Sequence, residues 1–460
     1  MIISSSFRDP SGFVFQNNGI VYRQINKIYE NDYLRLMSSG LYQELVSENL
    51  LIHHEEASSV EPPVEEKCYK IIQPLKIEFI SYPYEWSFHQ LKDAALLTLN
   101  IQKKALQYNM TLKDASGYNV QFHNGKPIFI DTLSFETYNE GDPWVAYRQF
   151  IQHFFAPLVL MNEVDIRLND LLKNYIDGLP LDLASAILPK KTYFNFTVLT
   201  HIHLHAKSQK HYGSTNKKII NQQKVSKHSL LALLDNLESY LKKLECKSVE
   251  TEWGNYYSNT NYSDEAAKFK GKVIEGFLEE ISPEFLWDLG ANTGHYSRIA
   301  SSKGVRTISF DIDPIAVSKN YLQVKDNKES NILPLLLDLT NPSPNIGWAN
   351  NERLSIINRG LPDTVMALAL IHHLVISANI PLSKIATFFN NICDSLIIEF
   401  VPKTDSQVEK MLTNRKDIFE DYTQNSFEKE FRSFFTMKEA IKIPDSERTI
   451  YLFQKERKEF

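Results

Sequence analysis

The second half of the chain predicts an α/β domain, a mostly parallel sheet with helices on both faces, and the first half predicts an α+β domain in front of it. Three observations carry this. From Phe285 onward, short apolar runs alternate with amphipathic stretches: Phe285–Leu289, Thr307–Phe310, Ile332–Leu336, Thr364–Leu370 and Ser395–Phe400. That alternation builds parallel sheets. The first half instead mixes hairpin signals with helical sequence. Between them, Leu183 to Leu234 holds no Asp or Glu, while Lys190, Lys191, Lys207, Lys210, Lys217, Lys218, Lys224 and Lys227 all fall there. At 460 residues the chain exceeds one ordinary core, and the expected division is residues 1–245 and 246–460.

In order, Phe13-Val14-Phe15 and Ile20-Val21-Tyr22 flank Asn17-Asn18-Gly19, and Asn-Gly marks a hairpin turn. A helix is expected over Ile28–Asn49, an acidic surface loop over Glu55–Lys67, and a strand near Leu75–Ile80. A linker, Ser81–Ser87, leads to a long helix from Phe88 to about Tyr108. Two strands bracket His123-Asn124-Gly125-Lys126, then mostly helical sequence runs to Leu188, and a helix over Ser229–Leu244 closes the first half. In the second half, Phe434–Ile443 and Thr449–Phe453 suit a final antiparallel pair.

Composition narrows the function. Hydrophobic residues make up 43% and charged residues 23%, which are globular values, and 22 Tyr with 27 Phe imply large cores. A net charge of −6 points to no nucleic-acid binder. The lysine tract over residues 190–227 lacks arginine clusters and an aromatic platform, so a solvated loop is the reading ahead of RNA binding. Cys68, Cys246 and Cys393 are far apart, without CxxC spacing, as in a reducing compartment. Neither a secretory leader nor an apolar run of about 18 residues occurs. The expectation is a soluble cytoplasmic protein without a membrane partner.

The motif that carries chemistry is Leu286-Trp287-Asp288-Leu289-Gly290-Ala291-Asn292-Thr293-Gly294-His295-Tyr296-Ser297, a strand, a tight glycine turn and a helix start. Glycine suits backbone that approaches a ligand closely. Asp288 suits a ligand ammonium group, and a helix start beyond Gly294 suits a carboxylate. The nicotinamide fingerprint G-x-G-x-x-G is broken by Ala291 and Asn292. The next strand ends in Asp311, followed by Asp313-Pro314 at a helix start. The third ends in Leu337-Asp338-Leu339, and the fourth in Ile371-His372-His373.

This ordered set resembles the class I S-adenosylmethionine-dependent methyltransferases over roughly the last 200 residues. The resemblance implies a Rossmann-like fold in which Asp288, Gly290 and Gly294 hold the methionine end of S-adenosylmethionine, Asp311 the ribose and Asp338 the adenine. Methyl transfer from a sulfonium is an in-line displacement, so positioning suffices and a base is optional. His372, His373 and Glu399 are the candidate bases, against packed histidines and a satisfied acid. No N-P-P-Y signature marks an amide or exocyclic amine as acceptor. The segment Trp253–Tyr262 is rich in aromatic residues that either line the substrate pocket or pack. Lys403, Arg415, Asp421 and Tyr422 fall in a substrate-facing insertion without assigned roles.

In the first half, Leu112-Lys113-Asp114-Ala115-Ser116-Gly117-Tyr118-Asn119 precedes a hairpin and then Phe129-Ile130-Asp131. The D-x-x-x-x-N spacing, with an Asp after a hairpin, resembles the catalytic loop and metal site of protein kinase-like and aminoglycoside phosphotransferase-like folds. That resemblance implies ATP and Mg²⁺ as ligands, Asp114 orienting a hydroxyl, and Asn119 and Asp131 holding the metal. The chain departs from the pattern by lacking a glycine-rich loop and V-A-I-K, and Asp131-Thr132-Leu133 replaces D-F-G. His201, His203 and His205 alternate as on one face of a strand, a solvated face or a metal site.

The expected function is an S-adenosylmethionine-dependent methyltransferase with an unspecified small-molecule or protein acceptor. The alternatives are a bifunctional phosphotransferase–methyltransferase and a non-catalytic ligand-binding protein.

Overall fold

The computed structural model describes residues 2–207, 224–246, 263–413 and 416–456. It divides into two compact units, Met1–Lys247 with Asn345–Leu354, and Ser248–Pro344 with Ser355–Phe460.

The first unit opens on the hairpin of β1 (Gly12–Asn17) and β2 (Ile20–Asn26). Asn17 pairs with Ile20, and Asn18 and Gly19 both take positive φ, 49° and 79°. This is the primed turn that matches strand twist. With β3 (His54–Glu56) and β4 (Cys68–Pro74) the hairpin forms an antiparallel sheet of order β1-β2-β4-β3. The strand expected at Leu75–Ile80 is therefore earlier. Ile71 and Ile72 of β4 are buried, whereas Leu75 is exposed and only Phe79 of the later run lies in the core. The loop expected over Glu55–Lys67 begins inside β3. The helix expected over Ile28–Asn49 is two helices, Glu30–Ser38 and Leu41–Ser47, divided by the left-handed Gly40.

The linker Ser81–Ser87 is buried and carries a short helical turn, Pro83–Glu85. Helix Phe88–Gln107 follows, capped by Ser87, whose hydroxyl accepts from the Gln90 amide in a capping box. Then come β5 (Met110–Leu112), the hairpin of β6 (Val120–His123) and β7 (Lys126–Phe129), and β8 (Phe135–Thr137), which pairs with β5.

The second unit holds a seven-stranded sheet. Its strands are β9 (Phe285–Leu289), β10 (Arg306–Asp311), β11 (Ile332–Leu336), β12 (Thr364–Ala367), β13 (Ser395–Phe400), β14 (Thr436–Lys442) and β15 (Thr449–Gln454). The order is β11-β10-β9-β12-β13-β15-β14. β9 to β13 are mutually parallel, and β15 runs antiparallel to β13 and β14. This is a Rossmann-like α/β fold, with the expected antiparallel pair at one edge. β12 stops at Ala367, short of the expected Leu370, because Ala369 turns left-handed at φ 49°. The core on one face joins Leu286, Met366, Ile397 and Leu452 of the sheet to Ile274, Phe277 and Leu278 of helix Asp264–Ile281.

Ten residues between β11 and β12, Asn345–Leu354, belong to the first unit, an exchange of which the sequence carries no sign. Among the described residues no helix is long and apolar enough to cross a membrane, and the three cysteines are free thiols.

Candidate functional site

Strand order reverses between β9 and β12, and ligands of open α/β sheets bind outside the carboxyl ends of strands at such a switch point. The glycine turn sits there. Gly290 and Gly294 take φ of 79° and 78°. A Cβ on Gly290 would lie 3.3 Å from Leu370, and one on Gly294 only 2.5 Å from the Asn320 amide. Both positions therefore demand glycine by backbone shape, and Gly294 by space as well. The helix expected just beyond Gly294 begins only at Ser297 and ends at Ser302.

Asp288, on β9, is 2% exposed. The Ser297 hydroxyl donates to its Oδ2 at 2.6 Å, and Asn320 Nδ2 donates to the neighbouring Ser309 Oγ at 2.8 Å. Asp311 ends β10, where its carboxylate accepts from the Asn292 amide at 2.7 Å and the Asp313 amide at 2.8 Å. It thereby ties the glycine turn to the next strand. Asp313 caps helix Pro314–Asn327, with Pro314 in the first turn. Burial pushes the Asp288 carboxyl up to about 7, against the Ser297 hydrogen bond, and the Asp311 carboxyl up to about 6. Asp338 is half-buried, its Oδ1 accepting from the Thr340 amide and hydroxyl at 2.8 and 2.6 Å.

Glu399, at the end of β13, is fully buried and bound by Lys270 Nζ at 2.7 Å. Lys270, from helix Asp264–Ile281, also lies 4.8 Å from the centre of the Tyr296 ring. Burial depresses the Lys270 pKa and Glu399 opposes this. His372 and His373 follow β12 with ring centres 4.2 Å apart. Burial lowers His373 to about 4 and holds His372 well below the usual histidine range, with Arg448 adding to both. His372 is 2% exposed, and its Nδ1 has no hydrogen-bond partner among the described residues. Both imidazoles are neutral at pH 7, but a pKa near 4 gives a general base little driving force.

In the insertion, Lys403 pairs with Asp417 and the Tyr422 hydroxyl donates to the Val401 carbonyl, while Arg448, just before β15, binds Asp405 at 2.7 and 3.0 Å. Trp253–Tyr262, Lys210, Lys217, Lys218 and Arg415 lie outside the described residues.

In the first unit two backbone bonds bring the D-x-x-x-x-N loop to Asp131. The Lys113 amide donates to Ser134 O, and the Ile130 amide donates to Asn119 O, both at 2.8 Å. Asp114 accepts from the Ser116 amide at 2.9 Å, and its pKa is raised by burial and then by Asp131. Asn119 Nδ2 donates to Ser134 Oγ at 3.1 Å, and that hydroxyl donates to Asp131. Arg23 of β2 forms a close ion pair with Asp131. Sequence reading missed Arg23 and Lys270, because nothing local marks a cation whose partner is more than a hundred residues away.

The histidine alternation is not a strand. Residues Leu199–Leu204 form a π-helix, which puts His201 and His205 together on the Tyr147 hydroxyl, at 2.5 and 3.2 Å. His203 turns elsewhere, to Ser185 and Thr192. Among the described residues no group of three or more His, Cys, Asp or Glu is placed to hold a metal ion.

No family model matches the chain. Among solved structures, magnesium protoporphyrin IX methyltransferase (ChlM) from Synechocystis PCC 6803 with bound SAH aligns at TM-score 0.30 and 15% identity, covering 41% of this chain and 84% of that one. The bifunctional kinase-methyltransferase WbdD aligns at TM-score 0.29 and 14% identity, covering 42% of this chain and 40% of that one. The nodulation protein NoeA of Rhizobium meliloti (strain 1021) is 34% identical over 460 residues, 98% of this chain and 96% of that protein. With that identity held along nearly the whole of both proteins, the chain belongs to the family of the nodulation protein NoeA.

Proposed function

We propose that the second unit binds S-adenosylmethionine and transfers its methyl group to a nucleophilic acceptor. The observation that carries this is the pair of buried carboxylates, Asp288 and Asp311, at the carboxyl ends of β9 and β10 around a turn that demands glycine. The residues fit this cofactor. A buried carboxyl pushed up to about 7 gains from a cationic partner, and the ligand's ammonium and sulfonium are cations. When bound, the cofactor supplies an electrophilic methyl group. Asp288 would accept from its ammonium group. Asp311 retains acceptor capacity for ribose hydroxyls beyond its bonds from the Asn292, Ile312 and Asp313 amides, and Asp338 is the side chain for the adenine amino group. Because the Glu399 carboxylate is held by Lys270 and the histidines are weak bases, orienting the acceptor in line is the work left to the protein.

Calorimetry on the full chain tests this. Binding of S-adenosylmethionine should weaken in Gly290→Val and in Asp311→Ala, and unchanged affinity in both would overturn the reading. Label transferred from the cofactor to a component of cell extract separates an enzyme from a binding protein.

A second reading concerns the first unit, favoured by the convergence of Asp114, Asn119 and Asp131 with Arg23 opposite. We infer a site for a divalent metal and a nucleoside triphosphate. Asn119 and Asp131 would hold the metal, Arg23 would exchange Asp131 for a phosphate, and Asp114 would orient the acceptor hydroxyl. Mg·ATP should then stabilise the full chain, by about 2.7 kcal/mol at a concentration one hundred times Kd. Asp131→Ala should remove most of that gain, and no shift with any nucleotide would sink this reading.

A further inference from the structure

The ten residues Asn345–Leu354 are bound into the first unit by groups of several kinds. Glu352 is 2% exposed and is held by the Arg8 guanidinium, one bond of which is 2.9 Å. Its carboxylate also accepts from the Trp348 amide at 2.7 Å. The Leu354 amide donates to the Tyr82 hydroxyl at 2.9 Å, and Ile346 and Arg353 close the segment with a backbone bridge. Between these anchors the Arg353 guanidinium lies 3.9 Å from the centre of the Tyr118 ring.

Tyr118 belongs to the loop that carries Asp114 and Asn119. Its ring is boxed by Tyr82 at 5.9 Å, by His153 at 6.0 Å, both edge-on, and by Arg353 on its face. A cation over a desolvated aromatic face is held more strongly than one in water. Arg353 Nη1 donates to the Glu352 carbonyl at 3.0 Å, and Arg353 Nε is buried with no hydrogen-bond partner among the described residues. The loop is also held at Asn119, whose carbonyl accepts from the Ile130 amide and whose Nδ2 donates to Ser134 Oγ, and by bonds nearer Tyr118. The Ala115 amide donates to Gln149, the Ser116 amide to Asp114, and the Asn119 amide to Ser116 O.

We propose that Arg353 is a positioning residue for the loop Asp114–Asn119, acting through the Tyr118 ring. The first unit's candidate loop is thus braced by a first-unit residue that the chain reaches only after β11 and before β12. The consequence for nucleotide binding rests on the second reading above, whereas the positioning itself does not.

Amide hydrogen exchange in the full-length protein tests it. Arg353→Ala should speed exchange at Ala115, Ser116 and Asn119 about tenfold, the scale of one desolvated cation–π contact, and leave the β1–β4 sheet unchanged. Arg353→Lys should restore part of the protection, because an ammonium keeps the charge over the ring without the planar stack. Unaltered exchange in Arg353→Ala overturns the proposal. So does faster exchange throughout the first unit, which would make Arg353 an ordinary fold contact. In the same experiment Mg·ATP should slow exchange in the wild-type loop and do so less in Arg353→Ala. If Mg·ATP leaves the wild-type loop unchanged, the nucleotide reading fails while the exchange comparison still decides the role of Arg353.

Discussion

Asp288 concentrates the electrostatic problem of the second unit in one side chain. It is buried against the Ser297 hydroxyl, with the Asp311 carboxylate nearby and Lys270 committed to Glu399, and burial, with Asp311 adding to it, pushes its carboxyl up to about 7, far above the ordinary aspartate range. An acid whose folded pKa is raised binds its proton more tightly when folded. Its contribution to stability is therefore most favourable at low pH and is lost as pH rises from about 4 to about 7. Ligand binding has the opposite sign, because a cation must meet the carboxylate. Affinity for S-adenosylmethionine should fall as pH is lowered below about 7, approaching tenfold per unit for one displaced proton. Asp288→Asn should bind more weakly and show a flatter profile between pH 5 and 8. A wild-type affinity independent of pH across that range would contradict the burial argument.

At the scale of elements, the contact to examine is the one between helix Asp264–Ile281 and β13. Lys270 and Glu399, 2% and 0% exposed, join them inside the core that also holds Ile274, Phe277 and Ile397. A buried ion pair adds little over an apolar pair of the same shape, but losing one partner strands a charge, at about 3–5 kcal/mol. Chemical denaturation should show Lys270→Met and Glu399→Leu each destabilising on that scale. The double variant should recover most of the loss, and additive losses would mean that the two side chains do not act as a pair. The same arrangement explains a partial failure of sequence reading. Glu399 at a strand end invites a catalytic reading, and only the helix packed against it shows the carboxylate to be already satisfied.

For the whole molecule, the division of the chain decides what can be cut from it. A fragment covering residues 1–247 lacks ten residues of its own unit, leaving Arg8, Tyr82 and Tyr118 without Glu352, Leu354 and Arg353. It should melt several degrees lower than the same fragment with residues 345–354 restored through a flexible linker, since about 1 kcal/mol already moves Tm by roughly 2–4 °C in a domain of this size. Equal melting temperatures would show those contacts to be energetically idle.

The residues themselves determined what is local. Asn-Gly between β-prone runs sets the first hairpin, because both turn positions need positive φ. Alternating apolar runs set the parallel sheet, and the spacing from Asp288 through Gly294 set the turn at its centre. Tertiary structure alone decided the rest. Spacing of two suits a strand face, but positions four apart also share a helix face, so His201 and His205 meet on Tyr147 while His203 does not. Arg23 meets Asp131, Lys270 meets Glu399, and Arg353 meets Tyr118 across 108, 129 and 235 positions of chain. Local spacing reflects backbone geometry, which repeats every two or four residues. The partner of a buried charge follows from which elements pack together, and no repeat along the chain records that.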